Sequence, residues 1–210
     1  MPNAAPQTFN IVLLPELLTW IVGDAEATAI VADEALRPKL EPVVAGSPAV
    51  RTVVMTSDAP EPVADRRTVS WNDILAAAPD APLEVEVPER APVQCLYTSG
   101  TTSNPKGVLT SHVSVTIALL SNAIVTRQGW GSDAPVMLVV LPLFHVTALN
   151  TLAMPVLMMG GTVVMPSHVF DPAKVLDAVE QRSINHLMML PMMHAACAAE
   201  QQRSARNLES

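Results

Sequence analysis

Lysine is scarce in these 210 residues: Lys39, Lys106 and Lys174 are the only three, and acidic side chains outnumber basic ones 20 to 12, a net charge of −8. A nucleic-acid binder neutralises phosphates with Lys and Arg in numbers, so the charge argues against that class. Cysteine is nearly absent too. Cys95 and Cys197 form no CxxC and no metal-spaced set, which argues against a disulfide framework or zinc site and for a reducing compartment. The first basic residue is Arg37, so the N-terminus has neither the positive n-region of a signal peptide nor the Arg-rich pattern of a transit peptide. Uninterrupted apolar runs are also missing. The uncharged stretch from Ala134 to Phe170 is broken by Pro142, His145, Asn150, Pro155 and Gly160-Gly161. No run of about 18 to 20 apolar residues survives, which favours a buried α/β core over a membrane span. The expectation is a cytoplasmic protein.

What is present is a hydrophobic half of the chain with only 15% charged residues, enough to bury a substantial core. The apolar pattern alternates between helical spacing and short runs. "ELLTWIVG" reads as a helix and "TAIVAD" as a strand; "EALRPKLEPVV" follows as a helix and "RTVVMT" as a strand. Pro- and Ala-rich connections are expected at about 57–69 and 78–92, with Ser70 capping "WNDILAAA" between them. "VQCLY" and "GVLTS" are extended, and Ser111 caps a long helix to about Gln128. "VMLVVL" (136–141) is a buried strand, "TALNTLAMPVLMMGG" a helix ended by a glycine pair, and "TVVM" a strand. Asp171-Pro172 opens "AKVLDAVEQR". "INHLMML" is a last strand, and Pro191 opens a last helix. Such alternation predicts βαβ units: an α/β fold with a mostly parallel sheet and flanking helices.

"YTSGTTSNPKGV", residues 97–108, places five hydroxyls in six positions after the only tyrosine, and uses two of the eight glycines. It is not a Walker loop. Counted from Gly100, the second glycine would fall at Pro105, and Lys106 precedes Gly107 instead of following it. It is not a hydrolase elbow, since Tyr97 stands where G-x-S-x-G needs its first glycine. It retains the physics of a phosphate cradle: Gly100 permits close approach, and the hydroxyls of Thr98, Ser99, Thr101, Thr102 and Ser103 can donate to phosphoryl oxygens. Pro105 stiffens the exit and Lys106 supplies a compact cation. Composition alone leaves this open against a polar loop without function.

The same segment resembles the signature of the adenylate-forming superfamily, whose pattern is Ser/Thr-Ser-Gly-Thr-Thr-Gly-x-Pro-Lys-Gly and which includes the acyl-CoA synthetases. "LPLFHVTAL" (Leu141 to Leu149) is similar to the family's second core motif. "GGTVVM…FDPAKVLDAVEQRSINHLMMLP" and the N-terminal "WIVGDAEATAIVAD" continue the match over nearly the whole chain. Ser103 departs from the pattern, standing where glycine is commonest. If that position needs positive φ, serine costs about 1 kcal/mol; a serine there is more like the fatty-acid and carnitine-type ligases.

The resemblance implies attack of a carboxylate on the α-phosphate of Mg·ATP, giving an acyl-adenylate and pyrophosphate, then transfer to coenzyme A. It implies that Thr98, Ser99, Gly100, Thr101, Thr102, Ser103, Lys106 and Gly107 hold ATP, with Thr102 near Mg²⁺. Lys106 would be catalytic through the charge of the departing pyrophosphate. His145, by its own pattern more often a core histidine, would sit beside the acyl substrate, with Phe144 lining the pocket. The implied partners are a small carboxylic acid, probed first as a fatty acid, with ATP and CoA. Nine of the eleven methionines lie between Met137 and Met193, where such side chains line adaptable tunnels or simply fill core. The family's Tyr-Gly-x-Thr-Glu segment and the lysine of its C-terminal lid have no counterpart, since Tyr97 is the single tyrosine and Lys174 the last lysine. The expectation is therefore a partial adenylation domain over 1–210 without the lid, either a portion of a ligase or a non-catalytic phosphate-binding remnant.

Overall fold

The computed structural model describes residues 6–81, 85–98, 104–128 and 134–209. The chain divides into two compact units, one built from Phe9–Val87 with Tyr97–Val108, the other from Pro88–Leu96 and Leu109–Ser210 with the N-terminal residues.

In the first unit, helix α1 (Pro15–Asp24) begins with proline at its first turn beside Glu16, a residue matched to the helix dipole. Its Leu18, Ile21 and Val22 recur at helical spacing and are buried. Strand β1 (Ala29–Ala32) pairs in parallel with β2 (Thr52–Met55), and β2 with β3 (Arg67–Ser70), so the order is β1-β2-β3. Helix α2 (Arg37–Ala45) supplies Leu40, Val43 and Val44 to a core shared with Val53 and Met55. Asp33 ties the strand ends together: its carboxylate accepts from Ala35 N (2.9 Å) and from Thr56 Oγ1 (3.0 Å). Ser70 caps α3 (Trp71–Ala77) by accepting from Asn72 N.

Strands β4 (Pro92–Thr98) and β5 (Lys106–Ser111) form a two-stranded ribbon. In the second unit, Ser111 caps α4 (His112–Val125). A parallel sheet follows in the order β7-β6-β8, from β6 (Val136–Leu138), β7 (Thr162–Val164) and β8 (His186–Leu187). The two-residue side-chain period divides β6 between two cores. Leu138 packs with Val175, Leu176 and Val179 of helix α6 (Pro172–Arg182) and with Cys197 of α7 (Pro191–Arg203). Met137 and Val139 pack with Ala148, Leu152 and Val156 on the other side. A sheet covered on both faces explains why "VMLVVL" is apolar at every position.

Four elements differ from the sequence expectation. Strand β6 ends at Leu138 instead of continuing to 141, and β8 keeps only the two residues that pair with β6. Strand β3 was hidden in the expected connection at 57–69, because "RTVS" has one buried side chain and charged neighbours. The helix after His145 is also not uniform. It begins as a π-helix (Thr147–Ala153) and becomes α5 (Met154–Met158) at Pro155. Proline has no N–H to give to the Thr151 carbonyl four residues back, and the Asn122 side-chain amide donates to that oxygen instead (3.4 Å).

Candidate functional site

Chain geometry brings the two ends of the hydroxyl-rich segment together. Strand β4 delivers Tyr97 and Thr98 to its carboxyl end, and β5 starts at Lys106. Thr98 Oγ1 donates to the Lys106 carbonyl across the base of the turn (3.4 Å). Pro105 is buried, whereas Thr98, Lys106 and Gly107 are exposed. Ser99, Gly100, Thr101, Thr102 and Ser103 lie outside the described residues.

The Lys106 ammonium forms no ion pair among the described residues. Lys39 is occupied by contrast, donating to the carbonyls of Ile11 (2.5 Å) and Leu13 (3.1 Å). An exposed cation beside a turn whose ends are pinned by a side-chain bond is chemistry suited to a multiply charged anion.

Tyr97 is held from the side. Its ring meets Trp20 edge-on, with centroids 6.3 Å apart and planes at 85°, and its hydroxyl donates to Asp24 Oδ2 at 2.5 Å. Sequence reading missed both partners, which lie more than seventy residues upstream. The available signal was Asp24 itself, an acidic residue as the last residue of a helix that has no basic residue in its last turn, where the dipole disfavours it.

His145 belongs to the second unit. It follows β6 in a turn closed by its own N–H on the Pro142 carbonyl (3.1 Å), and its carbonyl accepts from Leu149 N (3.1 Å) at the entrance to the π-helix. The ring is exposed and lies against Phe144, with centroids 4.9 Å apart and planes at 49°. A position just past the carboxyl end of a parallel strand is where open α/β sheets bind ligands, and π-turns concentrate at functional sites. Asn150, on that π-helix, has a buried Oδ1 without a partner among the described residues.

Burial pushes the Cys197 thiol above its ordinary pKa, so it is packed core and no nucleophile. Among the described residues no group of three His, Cys, Asp or Glu could hold a metal ion. A cavity of about 480 Å³ runs along β7, lined by Val136, Thr162, Val163, Val164, Met165 and Arg182. None of the candidate residues among the described ones borders it.

With this geometry in view, comparison with known proteins is decisive on class. The pattern of the AMP-binding enzyme family matches residues 2–210. The chain belongs to that family. It is similar to a feruloyl-CoA synthase of an Amycolatopsis species, at 36% identity over 65% of this chain and 27% of that protein. A long-chain-fatty-acid–CoA ligase of Thermus thermophilus is 30% identical over 93% of this chain and 35% of the relative. Among solved structures, the anthranilate CoA ligase AuaEII in complex with anthranoyl-AMP superposes with a TM-score of 0.72 at 20% identity, over 95% of this chain and 38% of that one. ATP-bound MatB from Rhodopseudomonas palustris gives 0.70 at 23% identity, over 92% and 35%. These likenesses show the fold. The chain spans about a third of the length of the curated relatives it matches. Among the described residues, no helix is long and apolar enough to cross a membrane.

Proposed function

We propose that this chain is the polyphosphate-gripping portion of an acid–CoA ligase that works in the cytoplasm. The observation that carries the reading is the Thr98–Lys106 bond that ties the end of β4 to the start of β5, beside a Lys106 ammonium that forms no ion pair among the described residues. Support comes from the family match and from relatives named for fatty, feruloyl and coumarate acids.

In the reaction, a carboxylate oxygen of the acid attacks the α-phosphorus of ATP, and the bond to the bridging oxygen breaks to release pyrophosphate. The thiol of coenzyme A then attacks the acyl carbonyl, losing its proton, and AMP departs. Thr98, with Ser99, Gly100, Thr101, Thr102, Ser103 and Gly107, would bind the β- and γ-phosphates. Lys106 would stabilise the charge that grows on the leaving pyrophosphate. Mg²⁺, placed by this reading near Thr102, would supply further charge neutralisation. His145 would border the acyl group, with Phe144 as an apolar wall, and a fatty acid is the first substrate to test.

The test is carboxylate-dependent exchange of labelled pyrophosphate into ATP, run over a panel of acids on this chain and on a chain extended at both ends. Exchange is expected with the extended chain, and exchange by neither removes the ligase reading. Lys106→Ala should slow that exchange by about 10²–10³-fold, as for a lost preorganised donor, while ATP affinity changes far less. Equal loss of both would contradict a role for Lys106 in the transition state.

A further inference from the structure

We propose that Asp24 and Tyr97 are positioning residues for the phosphate-binding turn, a carboxylate–hydroxyl tie that fixes the end of β4 and so the placement of Thr98 and Lys106; the inference rests on the phosphate reading above. Three observations converge. Tyr97 immediately precedes Thr98, whose hydroxyl is bonded to the Lys106 carbonyl, so rotation or translation of the strand end at 97 reaches Lys106 through one residue and one hydrogen bond. The Tyr97 hydroxyl is tied to Asp24 at 2.5 Å, and its ring is braced edge-on by Trp20, one helical turn earlier on α1. Finally, Asp24 is badly placed for α1 itself, since a carboxylate as the last residue meets the negative end of the helix dipole. Its position is explained by the contact it makes with the strand. A hydrogen bond to an ionised acceptor is among the stronger single side-chain ties, and α1 is anchored by its buried Leu18, Ile21 and Val22. The turn is thereby referenced to a packed helix as well as to its own ribbon.

Binding of MgATP by the full 210-residue chain, with melting temperature followed in parallel, tests this. Tyr97→Phe keeps the ring against Trp20 and removes only the hydroxyl; Asp24→Ala removes the acceptor; Asp24→Asn retains one. Tyr97→Phe and Asp24→Ala are each expected to weaken MgATP binding about fivefold or more, with the melting temperature unchanged. Asp24→Asn, which keeps a neutral acceptor, should lose less affinity than Asp24→Ala. The double variant should bind no more weakly than either single one, because both remove the same bond. Unchanged affinity in both single variants, additive losses, or an affinity loss that tracks a fall in melting temperature would overturn the positioning role while leaving the phosphate reading intact. Absence of MgATP binding by the unsubstituted chain would overturn the phosphate reading, and this inference with it.

Discussion

The Lys106 ammonium is exposed and forms no ion pair among the described residues, which leaves it available to a multiply charged anion. With only two other lysines in the chain, its place at the exit of a hydroxyl-rich turn is informative in a way that one lysine among twenty would not be. The cysteines illustrate the opposite case, residues whose isolation in sequence means packing. Cys197 is 5% exposed and its thiol is raised by burial. The folded state keeps a proton that the unfolded thiol releases. The stability linked to this group is therefore complete below about pH 8.5 and is lost as the pH climbs above that value. Peptide mapping after a brief thiol-alkylating pulse at pH 8 should find Cys197 unmodified in the native chain and modified after denaturation. Rapid native labelling would contradict its burial.

The helix–strand joint before β7 uses its two glycines for different reasons. Gly160 has φ of +75°, the left-handed conformation that ends a helix. Gly161 is a matter of space: a Cβ there would lie 2.3 Å from the Pro135 carbonyl oxygen and 2.8 Å from Val156 Cγ1. Backbone cannot yield as a flexible side chain can. Gly161→Ala is expected to destabilise the protein by about 1–3 kcal/mol in urea unfolding. Gly23→Ala, near the end of α1 with no atom within 4 Å of the new methyl, should instead stabilise by about 0.5–1 kcal/mol. The reverse order would show that the close approach at Pro135 is wrong. Elements of this kind were readable when a cap or breaker marked them. Ser70, Ser111 and Asp171 each accept from a helix N-terminal amide as their sequence context implied. The π-helix was not readable, because a proline in a helical pattern signals only a kink or break, and the side chain that takes up the freed Thr151 carbonyl, Asn122, comes from a different helix. The four-residue β3 gave too weak an apolar pattern to stand out from its Pro-rich surroundings.

At the level of the whole molecule, the parallel α/β plan was legible because strands and helices alternate with regular spacing, and the family was legible because one dense motif carries it. The lateral support of that motif was not. Trp20 and Asp24 meet Tyr97 only through the fold, and no spacing rule links a helix end to a strand more than seventy residues later. The same scarcity that opened the reading offers the most direct test of its central claim, that a polyphosphate is held at the β4–β5 turn. A chain labelled with ¹⁵N only in lysine should give three backbone amide signals, from Lys39, Lys106 and Lys174. Titration with MgATP is predicted to move the Lys106 signal and to leave the other two in place. A shift confined to Lys39 or Lys174, or no shift at saturating MgATP, would contradict the account.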